Sequence, residues 1–374
     1  MGRPHLRGFS HPYCARWRSC SWRFVGKETQ GEEYRPCTDS LSLFHNVNAP
    51  LLGELSIKLE PGIGHLFDSF KGARLIRNGF AWNVPKLSTL NTNTTSGIPV
   101  ALQAQLHCLE VNFCHIRIER HIVALLSRLT SMTNVSTIRL SFIDCTFGRR
   151  TTSPWVSPVA EFPSVQSVSI ALLGCMQDNS RALFLWDEFR RFYFPNAIEL
   201  DITLDIGDRD KFVLWDRHNV ALYSFLAPNK SHSNRYPSLE TLNVVVQSGA
   251  QSCQPGTQDP LPTMLVPHCC VPTLKHFRIQ SMQYWTLLDG LGEFEASKPS
   301  YFAHAGEIVP IALETMIFDA PHVDGITLWV RQLSLKMQST GCWDRFSELT
   351  VIQDGETAII SRGDVEHWCE ARSP

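Results

Sequence analysis

The sequence predicts an α/β solenoid built from irregular repeats of about 30–40 residues, each adding one strand to a parallel sheet. Three observations carry that reading. A phrase recurs in which a proline is followed by apolar residues two, five and seven positions later. Its clean copies start at Pro163, Pro195, Pro237 and Pro272, spaced 32, 42 and 35 residues apart. The intervals carry apolar stripes at helical spacing, and they are long enough for the crossover that joins parallel strands.

Taken in order, the first copy reads Pro50-Leu52-Leu55-Ile57. Pro85-Leu87-Leu90 repeats its opening and then has Thr92 where an apolar residue is expected, while Leu106-Leu109-Val111 and Val135-Ile138-Leu140 keep the apolar triplet without the proline. The clean copies follow as Pro163-Val165-Val168-Ile170, Pro195-Ala197-Leu200-Ile202, Pro237-Leu239-Leu242-Val244 and Pro272-Leu274-Phe277-Ile279. Leu313-Met316-Phe318 comes one residue late after Pro310, and Phe346-Leu349-Val351 closes the series. Apolar residues three and then two apart put one set of alternate strand side chains into a core and turn the other set outward. Proline fits ahead of a strand, where no ladder donor is needed and its fixed φ stops a preceding helix.

The crossovers read as helices in three places. Ile118, Ile122, Leu125, Leu126 and Leu129 form one stripe, Leu185, Phe189 and Phe192 within Arg181 to Phe194 a second, and Ile326, Trp329, Val330, Leu333 and Met337 a third. Gln247 to Pro262 reads as a long exposed loop. The expected organisation is a basic, partly ordered segment over 1–40, the solenoid over 41–355, and a cap or tail over 356–374 in which Asp364 to Cys369 forms a short capping helix.

With 43% hydrophobic residues the 374-residue chain can bury a large core, continuous in a solenoid because no unit covers its own apolar face. The net charge of −2 gives no general pull toward nucleic acid or an anionic membrane. The N-terminal basic stretch, with Arg3, Arg7, Arg16, Arg18, Arg23 and Lys27, lacks the continuous apolar run of a secretory signal, and no stretch approaches the length of a membrane span. The twelve cysteines contain no C-x-x-C pair. They read as reduced and mostly buried thiols in a cytoplasmic or nuclear protein, with the sequons at Asn93, Asn134 and Asn229 incidental.

Catalytic signatures are missing. No G-x-S-x-G, G-x-x-x-x-G-K-[ST], H-E-x-x-H or G-x-G-x-x-G occurs. Gly62-Ile63-Gly64 after Pro61 reads as a turn, and His268-Cys269-Cys270 and His367-Cys369 lack a second ligand cluster. The acidic run Asp201, Asp205, Asp208 and Asp210 is the best metal or acid/base candidate, but it alternates outward along a strand and into a loop. No enzyme activity and no cofactor are expected.

Several segments in a fixed order carry a family resemblance. These are His11 to Ser19 with Arg16-Trp17-Arg18-Ser19, Asn48 to Ile57 with Ala49-Pro50-Leu51-Leu52, Leu66 to Phe70, and Phe80 to Leu90 with Trp82 and Pro85. Together with Pro237-Ser-Leu-Glu-Thr-Leu242 and Pro272-Thr-Leu-Lys-His-Phe277, they make the chain resemble the leucine-rich-repeat region of fungal F-box proteins over about residues 11 to 355. The resemblance implies a leucine-rich-repeat-like solenoid, with parallel strands on the concave side and helices on the convex side. It further implies a substrate receptor of a ubiquitin ligase, whose F-box binds a Skp1-type adaptor while the repeats hold the protein substrate. An F-box would lie upstream of His11, so Skp1 binding is carried over to no residue here.

In such an arc the outward strand residues line the concave face. This nominates Glu54, Ser56 and Lys58; Glu110 and Asn112; Arg139 and Ser141; Glu199, Asp201 and Thr203; Asn243; His276, Arg278 and Gln280; and Asp319. As a set they are a mixed-charge ribbon suited to a protein partner, since a polyphosphate backbone would demand excess Lys and Arg. The expectation is a non-enzymatic protein-interaction module. The alternatives are a metal-dependent hydrolase using the Asp201 to Asp210 loop, and a structural remnant without a partner.

Overall fold

The computed structural model describes residues 14–24, 48–59, 83–93, 105–114, 129, 132–145, 160–175, 192–205, 222, 225–226, 234–247, 263–264, 271–281, 285–287, 312–321, 323–353 and 355–372. Two compact units divide the chain, Met1–Cys145 and Thr146–Pro374. Both are parallel-strand solenoids.

In the first unit, β1 (Ser19–Phe24), β2 (Glu54–Leu59), β3 (Thr89–Thr92), β4 (Cys108–Cys114) and β5 (Thr137–Ile143) pair in chain order, every pair parallel. The second unit repeats the arrangement with β7 (Ser167–Leu173), β9 (Glu199–Asp205), β10 (Thr241–Gln247), β12 (His276–Ser281), β14 (Thr315–Asp319) and β16 (Glu348–Gln353), again parallel and in order. Its last strand, β17 (Glu356–Ser361), turns back antiparallel on β16 through Gly355, whose φ of 82° suits a residue without Cβ. Short strands in the crossovers make two small parallel sheets: β6 (Ala160–Glu161) with β8 (Phe192–Tyr193), and β11 (Thr263–Met264) with β13 (Trp285–Leu287) and β15 (Val323–Asp324).

Each strand follows the alternation that the recurring phrase predicts. Leu200, Ile202 and Leu204 on β9 meet Leu242, Val244 and Val246 on β10 in register, all fully buried or nearly so, while the residues between them face outward. Thr92, the apparent interruption, keeps the inward place opposite Ile57 and Val111 and is buried. Inward aromatic rings stack from strand to strand, as Phe113 on Phe142 at 5.1 Å.

The proline's role is more specific than strand entry. The residue before it accepts a hydrogen bond from the residue two places after it: Val165 N to Phe162 O, Ala197 N to Phe194 O, Leu239 N to Tyr236 O, and Leu274 N to Val271 O. Proline thus occupies the second position of a β-turn, where its fixed φ is already correct. The residue before proline points into the core, and Phe162, Phe194 and Tyr236 form a buried ladder with ring centroids 5.2 and 5.7 Å apart. Each turn is tied to the previous one by a side chain, as Asn196 Nδ2 donates to Pro163 O at 2.7 Å and Ser238 Oγ to Pro195 O at 2.8 Å.

The residue just before each strand supplies a second tie. Its carbonyl accepts two successive N–H groups of the following strand's entry: Gly53 O from Ser88 and Thr89, His107 O from Ser136 and Thr137, Gln166 O from Ile198 and Glu199, Glu240 O from Lys275 and His276. These bonds set the parallel register independently of crossover length.

The third expected helix is present as α1 (Ile326–Ser339), and Ile326, Trp329, Val330, Leu333 and Met337 are its buried stripe, with Ser334 beside them. Trp329 meets Phe318 of β14 edge to face at 5.6 Å. The expected cap is a turn of 3-10 helix at Arg362–Asp364 leading into α2 (Val365–Ala371), which packs on α1 through Val365 and Cys369. The second expected helix needs correction at its end. Phe192 and Tyr193 form β8, because Phe192 is drawn into the buried aromatic cluster with Phe162 and Phe194 and its neighbour pairs with Glu161. Residues 181–191, the stripe from Ile118 to Leu126, the segment 248–262, Gly62–Gly64 and His268–Cys270 lie outside the described residues.

Beneath the turns of the second unit sits Arg235, fully buried, donating to Phe192 O at 3.1 Å and Phe225 O at 2.8 Å with its guanidinium 5.5 Å from the Tyr236 ring centroid. The Tyr236 hydroxyl is buried with no hydrogen-bond partner among the described residues, and burial pushes its pKa up, so it stays neutral. Removing an unpaired hydroxyl from such a site removes a desolvation penalty. Tyr236→Phe is therefore expected to gain about 1 kcal/mol, read as a higher urea midpoint at unchanged slope; a loss of stability of that size would mean the hydroxyl is bonded.

Candidate interaction face

The outward residues of successive strands fall into columns because the registers are unshifted. In the first unit Ser56, Asn91, Glu110 and Arg139 occupy one column, and Asn112 and Ser141 lie opposite one another in the next. Asn112 Nδ2 donates to Glu110 Oε1 at 2.9 Å and to Asn91 Oδ1 at 3.1 Å, which fixes the amide across two columns. Glu54 and Lys58 are exposed at the two ends of β2, and Arg139 is exposed at the centre of β5. Cys108 stands in the same column as Glu54, between Thr89 and Thr137. Burial pushes its thiol pKa up, nearby Arg139 pulls it back, and Glu110 and Glu54 push it up again, so the thiol is protonated near neutrality.

In the second unit the first column holds Ser167, Glu199, Thr241, His276, Thr315 and Glu348. Ser167 Oγ donates to Glu199 Oε2 at 3.1 Å, and His276 Nδ1 lies 2.9 Å from Thr315 Oγ1. The next column runs Ser169, Asp201, Asn243, Arg278, Ile317 and Thr350, with Asn243 Nδ2 donating to Asp201 Oδ1 at 2.7 Å. The third holds Thr203, Val245, Gln280 and Asp319, and Arg278 reaches diagonally to Asp319 Oδ2 at 3.1 Å. That pair is open to solvent, so it orients the guanidinium more than it stabilises the fold.

Every nominated residue therefore lies on a strand and on its outward side, and three groups are joined by contacts: Glu110 with Asn112, Asp201 with Asn243, and Arg278 with Asp319. Glu54 and Arg139 of the first unit belong to different columns and do not meet. The alternation that nominated these residues also covers Asn91, Ser167, Ser169, Thr315 and Thr350, which the recurring phrase left unmarked because their strands are among its degenerate copies or because small hydroxyls carry no charge signal. Lys275 and Glu240 were hidden for another reason. They sit one place before their strands, where the paired N–H ties form, and meet across neighbouring repeats at 2.7 Å; the hydrogen bond that Lys275 Nζ donates to Glu240 Oε1 holds the Lys275 pKa above its ordinary value.

Asp201 and Asp205 are outward residues of β9, while Asp208 and Asp210 lie outside the described residues. Among the described residues no three His, Cys, Asp or Glu side chains converge on a common point as a metal centre requires, and no helix is long and apolar enough to cross a membrane. What each unit offers chemically is an array of hydrogen-bonding groups of both charges at strand spacing, about 4.8 Å between columns' members and twice the residue rise along each strand. No family model matches the chain and no curated protein matches it, so the fold and this face are what speak for its function.

Proposed function

We propose that this protein is a non-enzymatic interaction module, a leucine-rich-repeat-like solenoid that holds a protein partner on the outward face of its parallel strands. The observation that carries the reading is the columnar array itself. In the first unit Arg139, and in the second Asp201 and Arg278, stand among Ser, Thr, Asn and Gln side chains held in register by strand backbones, so that each unit presents a patterned surface to a folded partner. Its mixed sign fits protein better than nucleic acid, which would draw on Lys and Arg alone. The resemblance to the repeat region of F-box proteins extends the proposal to a ubiquitin-ligase substrate receptor in the cytoplasm or nucleus, with a Skp1-type adaptor engaged by any form of the protein that carries an F-box.

Single charge reversals test the assignment. Arg139→Glu, Asp201→Lys and Arg278→Glu are each expected to leave the thermal midpoint within a few degrees of the parent, and at least one to cut capture of a specific partner about tenfold, measured by quantitative affinity capture from the native extract. Capture unchanged by all three would overturn the assignment. Stoichiometric uptake of a divalent metal that Asp205→Asn abolishes would replace it with the hydrolase reading.

A further inference from the structure

We infer that β17 is a self-association edge through which two copies of this chain pair their sheets antiparallel about a two-fold axis centred on Ile359. In the second unit β17 is the last strand of the sheet, bonded to β16 on one side and to no other strand among the described residues on the other. Its neighbour β16 is buried or half-buried from Leu349 to Gln353, but β17 is exposed at Glu356, Thr357, Ile359 and Ser361. The cap, α2, packs on α1, where Cys369 Sγ bonds Thr327 O at 3.5 Å, and also touches β17, but it adds no strand to the outer edge.

A bare edge is a template for pairing, and proteins usually blunt one with Lys, Pro or a bulge. The interior of β17, Thr357-Ala358-Ile359-Ile360, has none of these. Instead it presents Ile359, 67% exposed, opposite Thr350 of its own sheet and with Ile317 beyond it in the same column. Unpaired main-chain groups next to an exposed isoleucine constitute a surface that a strand satisfies.

The occupant follows from the side chains. When two identical strands pair antiparallel with both sheets facing the same way, opposite residues must share a face, so the two-fold axis passes through a residue and not between two. Centred on Ile359, the pairing sets Ile359 against itself and Thr357 against Ser361, an apolar pair and a hydroxyl pair, each a favourable cross-strand combination. Just past the strand, Arg362 opens the 3-10 turn and comes to the end where the second copy's Glu356, opposite in charge, begins its strand. Centring on Ala358 would instead leave Glu356 facing the buried Ile360. Arg362 already spends Nη1 on Asp344, at 3.0 Å to the carboxylate, and a guanidinium has donors left for a second carboxylate. This like-to-like complementarity selects a second copy over an unrelated strand, and it leaves the columnar face free on both copies.

The full chain is tested by sedimentation velocity over roughly 1–100 µM, the range in which a short strand–strand contact of modest area associates. A monomer–dimer equilibrium is expected, and Ile359→Lys, an exposed position whose change leaves folding intact, should raise the dissociation constant at least tenfold by placing two ammonium groups opposite one another. Under mild oxidation Ile359→Cys should form a disulfide-linked dimer well beyond the parent's background, and Thr357→Cys should not, because the axis separates its two copies by four residues of strand. A chain that stays monomeric throughout, a dimer indifferent to Ile359→Lys, or equal cross-linking at 357 and 359 would each overturn the proposal.

Discussion

Replacing Arg235 with leucine is expected to lower the stability of the second unit by roughly 3–5 kcal/mol, the largest loss of any single substitution considered. The side chain is fully buried and donates to the carbonyls of Phe192 and Phe225. Those carbonyls belong to two different crossover segments, and Phe192 also opens β8. Leucine fills much of the apolar stem but supplies no donor, so each carbonyl is left buried and unpaired at a cost of about 1–3 kcal/mol. The guanidinium's position by the Tyr236 ring, 5.5 Å from its centroid, is lost as well. Urea unfolding followed by tryptophan fluorescence measures the change. A loss under 1 kcal/mol would mean that the carbonyls find other donors and that Arg235 is filler.

Leu242→Ala is expected to cost about 2–5 kcal/mol. Leu242 has no exposed surface and stands between Leu200 of β9 and Phe277 of β12, so the cavity opens between three strands whose backbones are bonded to each other and cannot close on it. The neighbouring residue gives the contrast. An outward strand position alone would put Asn243→Ala near 0.5 kcal/mol, but its 2.7 Å bond to the Asp201 carboxylate raises the expected cost to about 1 kcal/mol. Matched denaturation curves for the two variants separate the faces of one strand. Equal losses would contradict the inward and outward assignment.

The strands were legible because two constraints coincide in them. Alternation needs apolar side chains at Leu242, Val244 and Val246, and the turn needs proline five residues before Leu242; either signal alone is common, and together they fix both where the strand lies and which face is buried. The third helix was legible for the same reason, its stripe being continuous from Ile326 to Met337. Short strands such as β6 and β8 were not. Two residues have no period, and their pairing follows from where the turns bring the backbone, with Phe162, Phe192 and Phe194 clustered beside it. The aromatic residue before proline was a readable signal that apolar spacing alone passes over, since Phe162, Phe194 and Tyr236 recur at the same place in consecutive repeats. The outward residues were placed by parity, and parity says nothing about chemistry. Whether Asn243 is idle or holds a carboxylate depends on what the adjoining strand carries 42 residues earlier.

The doubled N–H contacts on the carbonyl ahead of each strand have a bearing on how such a chain can change over time. Since the paired N–H contacts that join consecutive repeats use main-chain atoms alone, that part of the junction does not depend on which side chains flank it, and the span from one such carbonyl to the next behaves as a cassette. Gain or excision of a whole cassette preserves every junction that remains, whereas removing part of one breaks two. Lineages of this architecture are therefore free to drift in composition and in repeat number while keeping the same stacking.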